Sequence, residues 1–101
     1  MFNGAATAAV DFPQTLNYRG AIISEIGPGE HASATEGVLI EEVRQGPAAW
    51  TAGLRQGDAV TAVNRQSISD LNQFRAATEA EPRLKALTVV RGDQTLLLLI
   101  S

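Results

Sequence analysis

Apolar residues recur along this chain in short runs punctuated by glycine, proline and asparagine, the pattern of strands joined by tight turns. Residues 14–26, QTLNYRGAIISEI, carry branched and aromatic side chains and predict one extended strand. Residues 27–36, GPGEHASATE, predict a loop. A second strand is expected over 37–43, GVLIEEV, and a third over 59–63, AVTAV, after a turn at Gly57-Asp58. Asn64-Arg65-Gln66 reads as a tight turn, because asparagine tolerates positive φ, and Ile68 belongs to a brief strand. Residues 85–90 and 95–100, joined by Arg91-Gly92-Asp93-Gln94, predict a β-hairpin.

Two stretches break the alternation. Gly46-Pro47-Ala48-Ala49 opens a short helix over about 48–52. Pro47 suits its first turn, where a missing N–H costs nothing. Gly53 fits the left-handed position that ends a helix. The second helix is expected over 71 to about 80, capped by Ser69 or Asp70. Gln73 stands at capping-box spacing from Asp70, and Pro82 follows the end. Leu71, Phe74, Arg75 and Thr78 share one broad face of this helix. Phe74 is expected nearer the core, and the other three nearer any groove. Residues 1–13 are aperiodic and read as a flexible linker or an extension foreign to the domain, which then runs 14–101. The order of elements is α+β. It predicts a half-open antiparallel β-barrel of five to six strands capped by two helices.

The chain has 101 residues, enough for one domain. A net charge of −3 argues against a nucleic-acid partner. There is no cysteine, so disulfides and thiolate metal sites are excluded. The start, MFNGAATAAVDFP, has neither a basic lead nor a long apolar core and does not read as a signal peptide. The longest apolar run, Leu96 to Ile100, is far short of the roughly 20 residues that span a bilayer, so no membrane insertion is expected. His31 is the only histidine and lacks the partners that a triad or metal site needs. No catalytic residue, metal or cofactor is expected. Arg91-Gly92-Asp93 matches an adhesion tripeptide, but a hairpin turn accounts for it. Trp50 is expected either to cover the core or to anchor a neighbouring domain.

Gly46-Pro47-Ala48-Ala49, Ala52-Gly53-Leu54, Gly57-Asp58, Val60, Val63 and Asn64 together resemble the PDZ pattern of HtrA/Deg-type serine proteases. That pattern is G-x-P-A-x-x-A-G-L-x-x-G-D-x-I-x-x-x-N. Arg75 and Val90-Arg91-Gly92 also fit. The resemblance covers about 14–101 and is greatest to the second, C-terminal PDZ domain. It implies a PDZ fold in the circularly permuted HtrA order, with a peptide groove between a strand and the second helix. It places the loop that receives a peptide carboxylate at Thr15-Leu16-Asn17-Tyr18, with Arg19 as a cationic partner. The groove strand is then Gly20, Ala21 and Ile22, and the groove helix supplies Leu71, Phe74, Arg75 and Thr78. A pocket for the last peptide side chain would draw on Leu16, Tyr18, Ile22, Leu71 and Phe74. Two positions depart from the family: Asn17 stands where glycine is usual, and Thr78 where an aliphatic residue is frequent. Thr78 predicts a shallower or wetter groove.

The function implied is capture of C-terminal or extended apolar peptides, or of unfolded segments, by strand addition. The parent would be a periplasmic or cell-envelope serine protease of protein quality control, with its catalytic domain outside this chain. One alternative is a docking module that binds neighbouring protease and PDZ domains in an oligomer. Another is the PDZ module of a different bacterial membrane protease or secretion protein.

Overall fold

The computed structural model describes residues 15–27, 29, 31, 34–46, 48–81 and 83–101. The expected linker over 1–13, Pro47 at the start of the short helix, and Pro82 lie outside them. The strand expected over 14–26 is two strands. Arg19 and Gly20 have φ of 54° and 93° and fold the chain back between β1 (Thr15–Tyr18) and β2 (Ala21–Glu25). Two consecutive positive φ angles are what a two-residue hairpin turn of the right twist requires. The pairing is antiparallel, from Tyr18 opposite Ala21 to Thr15 opposite Ser24.

Next come β3 (Val38–Val43), α1 (Ala48–Ala52), β4 (Ala59–Val63), β5 (Gln66–Ser67), α2 (Leu71–Ala80), β6 (Lys85–Arg91) and β7 (Gln94–Ile100). The strands lie in the order β1-β2-β3-β4-β6-β7, all neighbours antiparallel, with β5 attached to β4. There are thus seven strands among the described residues, against the five or six expected. The surplus comes from the first hairpin. Register shifts at Ile22/Ile23 and Val60/Ala62 bend the sheet, which stays open.

The helix ends follow the sequence closely. Gly53 has φ of 113°; its N–H donates to Trp50 O and that of Leu54 to Ala49 O, the paired bonds of a Schellman ending. Asp70 caps α2 by accepting from the Gln73 N–H at 2.8 Å, while Gln73 Oε1 accepts from the Ser69 N–H. The fully buried core gathers Ile23, Val38, Ile40, Leu54, Val60, Val63, Phe74, Leu87 and Val89 from both faces of the strand–helix contact. No helix among the described residues is long and apolar enough to cross a membrane.

The two halves of the chain are tied at Asp58, whose side chain is almost wholly buried. Its carboxylate accepts from Arg91 Nε at 2.8 Å, from Arg91 Nη2 at 2.7 Å and from the Arg55 N–H at 2.9 Å. Arg91 Nη2 also donates to Gly53 O at 2.7 Å. The hydrogen bond to Asp58 pushes the Arg91 guanidinium above its ordinary range, against a smaller opposing effect of burial. A raised cationic pKa gives stability that is complete below the unfolded value and lost only as pH rises through the folded one. For an arginine that window lies beyond any pH at which proteins survive, so Arg91 contributes no pH dependence near neutrality.

Arg91→Met leaves the buried Asp58 carboxylate without its cation. Because the guanidinium stem is partly solvent-facing, the expected loss is toward the low end for a broken buried pair, about 3 kcal/mol by urea unfolding. A loss within experimental error of zero would show that the pair holds nothing. Gly37 has φ of 115°, and a Cβ there would stand 2.2 Å from Val60 O. Gly37→Ala therefore forces β3 from β4, and we expect a cost of about 2–4 kcal/mol in the same assay.

Candidate functional site

The structure brings the N-terminal residues and α2 to the two sides of one crease. A cleft of about 390 Å³ is lined by Leu16, Asn17, Tyr18, Arg19, Arg75, Thr78 and Glu79. A second, of about 230 Å³, is lined by Thr15, Leu16, Leu71, Asn72 and Arg75. Leu16 and Arg75 are common to both, one from each side of the crease. Leu71, Arg75 and Thr78 stand at i, i+4 and i+7, so they follow one line along the helix.

Alternation sorts the residues of β1. Leu16 and Tyr18 are half-buried against the core, while Thr15 and Asn17 are exposed. The Tyr18 ring meets Phe74 edge-on, with centroids 5.2 Å apart, a favoured geometry for two aromatic rings. Its hydroxyl is buried with no hydrogen-bond partner among the described residues. Arg19 at 5.7 Å and Lys85 at 5.8 Å approach the same ring, within reach of a cation–π attraction.

Three sequence expectations change. Leu16, Asn17 and Tyr18 form strand β1 and not a loop, because the apolar alternation of Leu16 and Tyr18 matches a pleat with one buried face. The left-handed residues are Arg19 and Gly20, so Asn17 is not where positive φ is needed. Gly20 lies in the turn, and Ala21 and Ile22 lie in β2, both of whose edges are paired, to β1 and to β3. Ala21 is fully buried, so no added strand can reach it while β1 is in place.

The helix residues lie as expected. Phe74 is in the core, Leu71 and Thr78 are buried at the crease and Arg75 is exposed. The Thr78 hydroxyl turns back onto its own helix. It donates to Phe74 O at 3.0 Å and Arg75 O at 3.1 Å, which satisfies the polar group within the helix. Lys85 was missed, although its signal was present: Lys85, Leu87 and Val89 alternate on one buried face of β6. Glu79, one turn after Arg75, was missed as well.

The other candidates have structural explanations. His31 Nε2 donates to Val90 O at 2.9 Å, and Nδ1 accepts from the Ala34 N–H at 3.0 Å, so the ring pins the loop to β6. Trp50 is half-buried, with the Arg55 guanidinium stacked 3.6 Å over its ring. Arg91 of the tripeptide is engaged by Asp58.

The periplasmic pH-dependent serine endoprotease DegQ of Escherichia coli K12 is 33% identical to this chain over 81 residues, 80% of the chain and 17% of DegQ. The periplasmic serine endoprotease DegP of the same strain is 32% identical over 65 residues, 64% of the chain and 14% of DegP. The chain thus spans less than a fifth of the length of these relatives. Among solved structures, the HtrA3 PDZ domain bound to a phage-derived ligand, FGRWV, superposes with a TM-score of 0.75 at 23% identity, over 89% of this chain and 88% of that one. The PDZ domain family itself matches residues 39–91, from β3 to the last residue of β6. This chain belongs to the PDZ domain family.

Proposed function

We infer that this domain captures extended or C-terminal apolar peptide segments, as a regulatory module of an HtrA/Deg-type serine protease. The observation that carries this reading is the crease between a short strand and the Leu71–Thr78 line of α2, apolar at its base and flanked by Arg19 and Arg75. An extended peptide can satisfy backbone groups along a sheet edge while alternate side chains enter pockets beside the helix. The peptide in the HtrA3 PDZ structure supports this class of partner. The names of DegQ and DegP, periplasmic serine endoproteases, support a periplasmic serine endoprotease as the parent, with its catalytic domain outside this chain.

A second reading draws on β7. Leu97 and Leu99 are more than half exposed on this edge strand, and Leu84 is exposed just before β6. Exposed leucines on an unpaired edge suit docking by a neighbouring domain of the parent. The surface favours β7 over Trp50 for that role, since Arg55 already covers the indole.

Titrating the isotopically labelled domain with FGRWV and related peptides separates the two. Peptide capture gives saturable amide shifts confined to Leu16–Ile22 and Leu71–Thr78. An amidated peptide then distinguishes capture of a free end from capture of an extended segment. Silence at millimolar peptide overturns the capture reading. Concentration-dependent broadening along β7 without peptide supports docking.

A further inference from the structure

We propose that β1 is a tethered occupant of the peptide groove, that ligands enter by displacing it, and that the groove selects an extended aliphatic-x-aromatic segment. The inference rests on the reading that a ligand strand adds beside α2. Without β1, the free edge of the sheet beside α2 would be β2. A strand added there would pair with β2 and send alternate side chains toward the helix. β1 does both. It pairs antiparallel with Ala21–Ser24, and it directs Leu16 toward Leu71 and Arg75, and Tyr18 toward Phe74 and Thr78. Leu16 and Tyr18 are separated by one exposed residue, so the protein's own Leu-Asn-Tyr spells the alternate side chains that face α2 from this position, and they wall the two clefts that remain open beside it. The groove needs no free carboxylate from such a segment, because Tyr18 continues directly into the Arg19-Gly20 turn. That turn is held from behind: Arg19 O accepts from the Ala49 N–H and Gly20 O from the Arg44 N–H. β1 can therefore swing out about a fixed end.

Two features leave β1 below its best fit. The Tyr18 hydroxyl is buried without a partner among the described residues, a cost that phenylalanine at the same place would not carry. Arg19 holds φ of 54°, a region that side chains with a Cβ disfavour. β1 is also only four residues long, and neither of its inward side chains is fully buried. Tethering offsets these deficits by holding the segment at an effective concentration of order millimolar. A competing peptide then sees an affinity lowered by the fraction of time the groove is open.

The chain has no cysteine, so a cross-link can fix β1 without side reactions. Asn17 and Ile22 are opposite partners on the outer side of the hairpin. In the 101-residue N17C/I22C variant, binding of an acetylated, amidated peptide Gln-Thr-Leu-Asn-Tyr-Arg is measured by fluorescence polarisation, oxidised and reduced. The oxidised protein is expected to bind at least tenfold more weakly than the same variant reduced. An opened variant, L16S/Y18S, is expected to bind at least tenfold more tightly than the wild type. The peptide with phenylalanine for tyrosine is expected to bind several-fold more tightly than its parent. Equal binding by the oxidised and reduced forms, with the opened variant no tighter than wild type, overturns the tethered strand and leaves peptide capture standing. Absence of binding by every form, including the opened one, overturns peptide capture itself.

Discussion

The buried carboxylate of Asp58 is the point on which the arrangement of this domain turns. It lies in a loop, between α1 and β4, yet it accepts three hydrogen bonds, two of them from an arginine on β6. A charge this deeply buried is tolerable only when its lone pairs are filled. The sequence must therefore bring Arg91 to it, which fixes the register of β6 against β4. Arg91 in turn holds Gly53 O, so the C-terminal end of α1 is set by the same pair. The N-terminal end of α1 then receives the Arg19 carbonyl at the Ala49 N–H. One ion pair thus governs, through α1, where the β1–β2 turn is anchored and hence where β1 meets α2.

At the crease itself, apolar and charged groups have separate tasks. Phe74 and Leu71 supply the apolar wall, and Thr78 presents no unmet polar demand because its hydroxyl bonds within the helix. Arg19 and Arg75 remain at the rim. Lys85 approaches the Tyr18 ring from the base. An aromatic side chain is favoured here over an aliphatic one, since only a π-face gains from a nearby ammonium group. The preference is a property of the receiving pocket, independent of whether the ring belongs to β1 or to a partner.

Most of the scaffold was legible because its turns demand particular residues. Gly53 ends α1, Asp70 and Gln73 cap α2, and Asn64 and Arg65 take positive φ, all at positions that local chemistry singles out. The first hairpin was not legible in the same way. Its turn uses Arg19, a residue with no preference for the left-handed region, and apolar alternation runs on through the turn on both sides. A period-two pattern reports which face is buried, but it does not report a reversal of direction. The resemblance placed a loop over Leu16–Tyr18 and a strand over Gly20–Ile22, where the structure has β1, the turn and the start of β2. The helix α2 was legible from its cap and from a 3.6-residue stripe that has no equivalent ambiguity.

The same displacement explains why helix and strand carry different information about binding. The α2 residues are available in any state of the domain, and their spacing defines the pockets. The strand that faces them depends on whether β1 stays paired with β2. While it does, the edge bordering the crease has the exposed backbone of Thr15 and Asn17 and little apolar surface. When it does not, the edge becomes that of β2, where the backbone groups of Ala21 and Ile23 that face β1 lose their partners. An unpaired edge is a template for another strand, so an exposed β2 edge beside α2 is open to a strand of its own chain or of another.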